Sequence, residues 1–195
     1  MQNNTHTQKW AVDVNNSSIS FKVSHLMISN IVGNFTIFDA NIYTTKDDFT
    51  TAQIDVFIDA DSVHTGNKDR DKHIKESSFF DVNNFKQITF TASNIEKSGK
   101  HGKHELWGVL TIKGISKNIV LQTYFGGQTT DQFNTDRAGF SLTGIIKRSD
   151  WELNWNEYLP TGSAIVGNDI FITCELELVK VDKNNLELEI DENII

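Results

Sequence analysis

The stretch TAQIDVFIDA, residues 51–60, alternates strictly. Ala52, Ile54, Val56, Ile58 and Ala60 fall on one side, and Gln53, Asp55, Phe57 and Asp59 on the other. A period of two belongs to a β-strand with one face in a core, because successive side chains point to opposite sides of a pleated backbone. The same rhythm recurs along the chain. SISFKVSH (18–25) sets Ile19, Phe21, Val23 and His25 against Ser18, Ser20, Lys22 and Ser24. Further runs are GNFTIF (33–38), with Phe35 and a bulge expected near Asp39, and QITFTAS (87–93), with Ile88 and Phe90 inward. ELWGVLTI (105–112) turns Leu106, Leu110 and Ile112 inward, NIVLQTYF (118–125) does so with Ile119, Leu121 and Phe125, and RAGFSLTGII (137–146) with Phe140 and Leu142. DIFITCELELVK (169–180) closes the series. Turn-forming residues separate most of these runs: KDD, KSGKHGK, KG and GGQTTDQ. Gly108, Gly139 and Gly144 fall inside strands, where kinks and bulges are expected.

About eight consecutive strands with one apolar face, and no helix long enough to cover it, must bury that face against themselves. A sandwich or a barrel does this, and an eight-stranded barrel is just wide enough to be filled by side chains or to hold one small ligand. The fold class expected is therefore all-β: a closed antiparallel eight-stranded barrel. One stretch, residues 66–78, breaks the alternation. Gly66-Asn67 turns the chain, Asp69 is the expected cap, and DRDKHIKES has the composition of a short helix, acids first and Lys75 late.

Composition sets limits on partners. With 18 basic and 26 acidic residues among 195, the formal net charge is −8 and the pI about 5.2, which repels phosphate backbones; nucleic acid is not an expected partner. No segment approaches the roughly 18 apolar residues of a spanning helix, and MQNNTHTQKW has no signal-peptide pattern. The localisation expected is cytoplasmic for the chain as given, or periplasmic if this is a mature form. Cys174, the single cysteine, sits in an alternating run and reads as a packed small hydrophobe.

Four stretches resemble the YceI-like family, lipocalin-like barrels that bind polyisoprenoid lipids: SHLMISNIVGNF (24–35), DADSVHTGNKDRDKHIKESSFFD (59–81), LTIKGISKNIVL (110–121) and IKRSDW (146–151). Order and spacing match over roughly residues 9 to 180. Departures are Ser78 in place of Asp, Lys86 and Asn118 in place of Pro, and Trp151 in place of Phe. The expected organisation is a flexible N-terminus at 1–8, the barrel domain at 9–180 and an acidic tail at 181–195. Trp10 resembles the tryptophan that closes one end of lipocalin barrels.

The resemblance implies non-enzymatic binding, carriage or sequestration of an isoprenoid lipid, a polyprenyl phosphate or a prenyl quinone, with no cofactor, metal or catalytic residue. The ligand-binding residues expected are Phe21, Val23, Phe35, Val56, Ile58, Phe90, Leu110, Ile112 and Phe140 along the inward faces, with Phe80 at the mouth. The same apolar row also suits a filled core. Two polar candidates join them. His25 is either a hydrogen-bond donor inside the cavity or a satisfied structural residue, and Arg148 either meets a phosphate or pairs with Asp150 or another carboxylate in its turn. Some family members pair as a homodimer, and no residue here fixes that.

Two other readings compete. His64, His73, Asp69 and Asp71 offer metal-binding side chains, but their spacing matches no short zinc motif, and His101 and His104 read as solvated loop residues. An interaction module using the acidic surface or the tail is the remaining alternative.

Overall fold

The computed structural model describes residues 7–97 and 103–181. The elements in chain order are β1 (Thr7–Val12), β2 (Ser18–His25), β3 (Ser29–Phe35), β4 (Phe38–Thr45), β5 (Asp48–Asp59), β6 (Val63–His64), α1 (Lys68–Lys75), β7 (Gln87–Lys97), β8 (Lys103–Ile112), β9 (Ile115–Thr130), β10 (Asp136–Lys147) and β11 (Val166–Lys180). All strand pairs are antiparallel. The order β1-β4-β5-β7-β8-β9-β10-β11 returns to β1, giving a closed ring of eight strands.

The closure is shared along β11. Its last residues pair with β1 (Trp10 opposite Lys180, Val12 opposite Leu178), while its first two-thirds pair with β2, from His25 opposite Val166 to Ser18 opposite Glu175. β1 and β2 are thus two halves of one bent edge, interrupted at residues 13–17, and β4 and β3 are the matching halves opposite. At the β1/β4 level the ring is complete. At the β2/β3 level, β3 has only the two-residue β6 on its outer edge, and there α1 and the segment after it stand, with the Phe80 ring 5.9 Å from that of Phe35.

Several local expectations are corrected. No bulge lies at Asp39, which pairs regularly with Phe57; the chain instead leaves the sheet at Thr36-Ile37, between β3 and β4. Gly126-Gly127 is not a turn: β9 continues to Thr130 and absorbs an extra residue there, Gly139 facing Gly127 and Phe140 facing Phe125. The turn falls five residues later, where the Asp131 carboxylate accepts from the Phe133 and Thr135 amides. Gly139 is therefore at a bulge, and so is Gly108, whose partner strand β7 slips by one residue between Ala92 and Asn94; Gly144 is not. A Cβ on Gly108 would lie 2.4 Å from the Phe90 ring, and one on Gly144 would lie 2.5 Å from Leu121 Cδ2; these glycines are seats for large side chains of the next strand. β1 begins at Thr7, two residues inside the segment expected to be flexible, and His104 belongs to β8 rather than a loop. His101 and the tail beyond Val181 lie outside the described residues.

Helix α1 is capped by Asn67, not Asp69: the Asn67 Oδ1 accepts from the amides of Asp69 and Arg70, both at 3.1 Å. Asp69 and Asp71 occupy the first turn and Lys72, His73 and Lys75 the last, as the helix dipole favours. Its anchor is Thr65. The Arg70 guanidinium donates to the Thr65 hydroxyl (2.8 Å) and carbonyl (2.9 Å), and the Asp71 carboxylate accepts from the Thr65 amide and hydroxyl.

Candidate functional site

Inside the ring the inward faces do not meet. They enclose a cavity of about 570 Å³ that runs the length of the barrel, from Ile42, Phe49 and Leu178 at one end to Leu153, Trp155 and Ile165 at the other. The size falls within the roughly 300–1,000 Å³ of small-molecule sites.

The lower end is shut by aromatic rings. Trp10, fully buried, donates its indole N–H to Thr44 Oγ1 at 3.2 Å, and Phe49 packs on it with ring centres 4.9 Å apart. Phe140 lies 4.9 Å from Phe49 and 5.0 Å from Phe125. Trp10 thus occupies the position expected of it, though from within a strand. Phe49 follows a turn by two residues, where no alternation marked it as inward, and sequence reasoning missed it.

The wall carries the expected residues. Phe21, Val23, Phe35, Val56, Ile58, Phe90, Leu110, Ile112 and Phe140 all line the cavity, and Phe80, His25 and Arg148 reach it at the upper end. Cys174 lines it too, and burial pushes its thiol up to about 12, so it remains protonated.

The upper end is the mouth, where most of the polar lining gathers: His25 from β2, Arg148 after β10, and Asp69, Arg70 and His73 from α1. Arg148 is buried and makes neither of the pairings expected for it with Asp150 or another carboxylate. Its Nε donates to the Gly167 carbonyl (2.8 Å), Nη1 to the carbonyls of Trp155 (2.9 Å) and Leu153, and Nη2 to that of Val166 (3.4 Å). Four of the five guanidinium N–H groups are thereby committed to backbone. Burial without a counter-ion pulls the Arg148 pKa below its usual value. The residue braces residues 153–167 across the barrel end.

Beside it, Trp151 donates its indole N–H to the Leu110 carbonyl (3.2 Å), a bond that a phenylalanine in its place could not make. Trp155 joins the brace to the helix: its ring lies 4.4 Å from His73 and 5.5 Å from Phe79, both edge-on or tilted. Trp155 sits in an irregular segment with no period to read, and Ile74, the apolar residue of α1 facing the cavity, stands alone in a charged helix; both were missed for that reason.

The alternative centre at residues 64–81 does not assemble. His64 Nδ1 lies 3.3 Å from Asp71, but His73 faces aromatic rings and Asp69 turns toward the cavity. Among the described residues no three metal-binding side chains converge. Burial raises the Asp71 pKa, but hydrogen bonds from Thr65 and the charge of His64 outweigh it, leaving the carboxylate below its usual value.

Comparison with known proteins agrees with this architecture. A family model described as the YceI-like domain matches residues 10–178. A UPF0312 protein of Staphylococcus aureus is 32% identical over 162 residues, covering 83% of this chain and 91% of that one. The crystal structure of a Campylobacter jejuni YCEI protein superposes with a TM-score of 0.68 at 36% identity, over 83% of this chain and 91% of the other. A polyisoprenoid binding domain from Saccharophagus degradans superposes at 0.65 with 15% identity, over 88% and 98%, and shares the fold.

Proposed function

We propose, given that this chain belongs to the YceI-like domain family, that its barrel binds an isoprenoid lipid non-enzymatically, with the hydrocarbon chain in the cavity and the head group at the mouth. The observation that carries this reading is the cavity itself: apolar along its length, shut by aromatic rings below, and polar where it opens. A ligand with a long apolar tail and one polar end is complementary to that layout. Burying hydrocarbon contributes about 0.8 kcal/mol per methylene, so each five-carbon unit offers roughly 4 kcal/mol before ordering costs. A few buried units are enough for tight binding.

The head group meets His25, Arg70 and His73 in this reading. Arg148, whose N–H groups are largely taken, acts on it only by holding the mouth in shape. A solved polyisoprenoid binding domain with the same fold supports the isoprenoid class; polyprenyl phosphate and prenyl quinone remain the two head-group chemistries. Organic extraction of the purified protein followed by mass spectrometry tests the proposal. Prenyl lipid in the extract, or uptake of added prenyl quinone or prenyl phosphate, is the expected result. An empty extract together with no uptake of either overturns it.

A further inference from the structure

We infer that the rim formed by the β2–β3 turn and the loop after Trp151 docks on an uncharged bilayer surface, with Met27, Ile28 and Tyr158 entering it. The inference rests on the lipid-binding reading of the cavity and names the surface from which that cargo is drawn.

The turn itself is the first ground. Ile28 N donates to the His25 carbonyl at 3.2 Å, and the two residues between, Leu26 and Met27, have φ of 54° and 62°. Both central positions are left-handed, the geometry in which Asn-Gly is strongly preferred. Here bulky Leu26 and Met27 occupy it, Leu26 half-buried, and the end of the turn is in water: Met27 is 73% exposed and the following Ile28 85% exposed. A strained turn presenting apolar tips to solvent has no packing explanation within the chain.

The second ground is what adjoins it. Leu26 N donates to the Ile165 carbonyl and Ile165 N to the Glu157 carbonyl, both at 2.8 Å, and Tyr158, 70% exposed, bridges Ala164. The three exposed side chains therefore project from neighbouring strips of backbone. The same strips supply His25, Ile31 and Ile165 to the cavity. The exposed apolar tips are continuous with the cavity mouth.

Charge selects the occupant. Residues 23–35 contain no Lys, Arg, Asp or Glu, and residues 153–168 contain only Glu157, in a chain carrying 18 basic and 26 acidic residues. Desolvating a charge against hydrocarbon is costly, so a rim this poor in charge, with Glu152 and Glu157 its only ionised residues, suits insertion at a neutral interface. The net charge of −8 opposes an anionic one.

Flotation with phosphatidylcholine vesicles tests this. The native chain is expected to float with the vesicles and to stay bound as salt is raised, because the contact is apolar. Met27→Asn combined with Ile28→Glu keeps a residue that accepts the left-handed conformation at 27 and should weaken vesicle binding by about tenfold or more. Uptake of a dispersed short prenol, farnesol, should be equal in both. Tyr158→Glu, outside the turn, gives the same comparison if the double variant does not fold. Native protein that takes up farnesol but stays off the vesicles overturns the docking surface. So does a double variant that floats like the native chain, or binding that needs anionic lipid and is released by salt. Failure of the native chain to take up farnesol overturns the lipid-binding reading instead.

Discussion

Arg148 shows how one side chain can carry a mouth. Its carbonyl acceptors lie at residues 153, 155, 166 and 167, so it fastens both arms of the loop that spans the barrel end. Arg148→Ala removes the guanidinium donor from the Leu153, Trp155 and Gly167 carbonyls, while that of Val166 keeps the Asn156 amide (2.7 Å), and should cost about 3 kcal/mol, read as a lower urea midpoint. Arg148→Lys should recover only part, since a single ammonium cannot reach acceptors on both sides of a planar fork. A full recovery by lysine would show that charge, not geometry, matters. The alternation of β5 and β8 made Val56, Ile58, Leu110 and Ile112 legible from the chain alone, because a strand's period fixes its faces. Nothing of that kind announces Arg148: its partners are backbone oxygens, which every residue has, and only the path of the loop brings them to it. The helix cap was misplaced by two residues for a related reason, since Asn67 and Asp69 are both good caps and the choice depends on where the chain leaves β6.

Elements here are joined by two devices, glycine seats and one arginine cluster. Leu121 of β9 rests over Gly144 of β10, and no backbone atom there lies closer than 3.5 Å to the added Cβ position. Gly144→Ala should destabilise by about 1–3 kcal/mol through overpacking, and adding Leu121→Val should restore much of that loss in thermal unfolding. Additive costs would mean the two residues do not share the space. A glycine inside a strand is visible in the sequence, but bulge and seat look alike until the opposite strand is known: Gly139 is at a bulge, Gly144 is a seat, and Gly108 is both. Arg137 ties β10 to the 131–135 turn through Asp131 (2.7 Å), to the β1–β2 break through Asp13 (2.8 Å), and to β11 through Glu177. Hydrogen bonds from this guanidinium hold the Asp13 and Asp131 carboxyls below their usual value near 3.8. A folded-state pKa below the unfolded one contributes stability above it that is lost on acidification. The thermal midpoint should therefore fall as pH drops below about 4, and Arg137→Leu should flatten that dependence. An unchanged slope in the variant would place the acid sensitivity elsewhere.

At the scale of the whole molecule, cavity length should set cargo length. Val56 faces the space midway, between Ala40 and Phe90 on the adjoining strands. Val56→Trp should shorten the longest prenyl chain recovered by extraction while shifting stability by no more than about 1–2 kcal/mol, because the ring fills empty volume. An unchanged length distribution would mean the tail does not pass this level. The barrel's closing seam has a consequence of another kind. Among the described residues three pairs join β1 to β11, and the Gln8 amide reaches the Val181 carbonyl across a separation of 173 residues. Pairing so distant in sequence is slow, of the order of milliseconds to seconds, because the loop it closes is nearly the whole domain. Before it forms, the sheet is an open-sided trough with two unpaired edges. On the lipid-binding reading, a hydrocarbon that entered sideways at that stage would be enclosed as the seam closed, a route of first loading separate from the mouth.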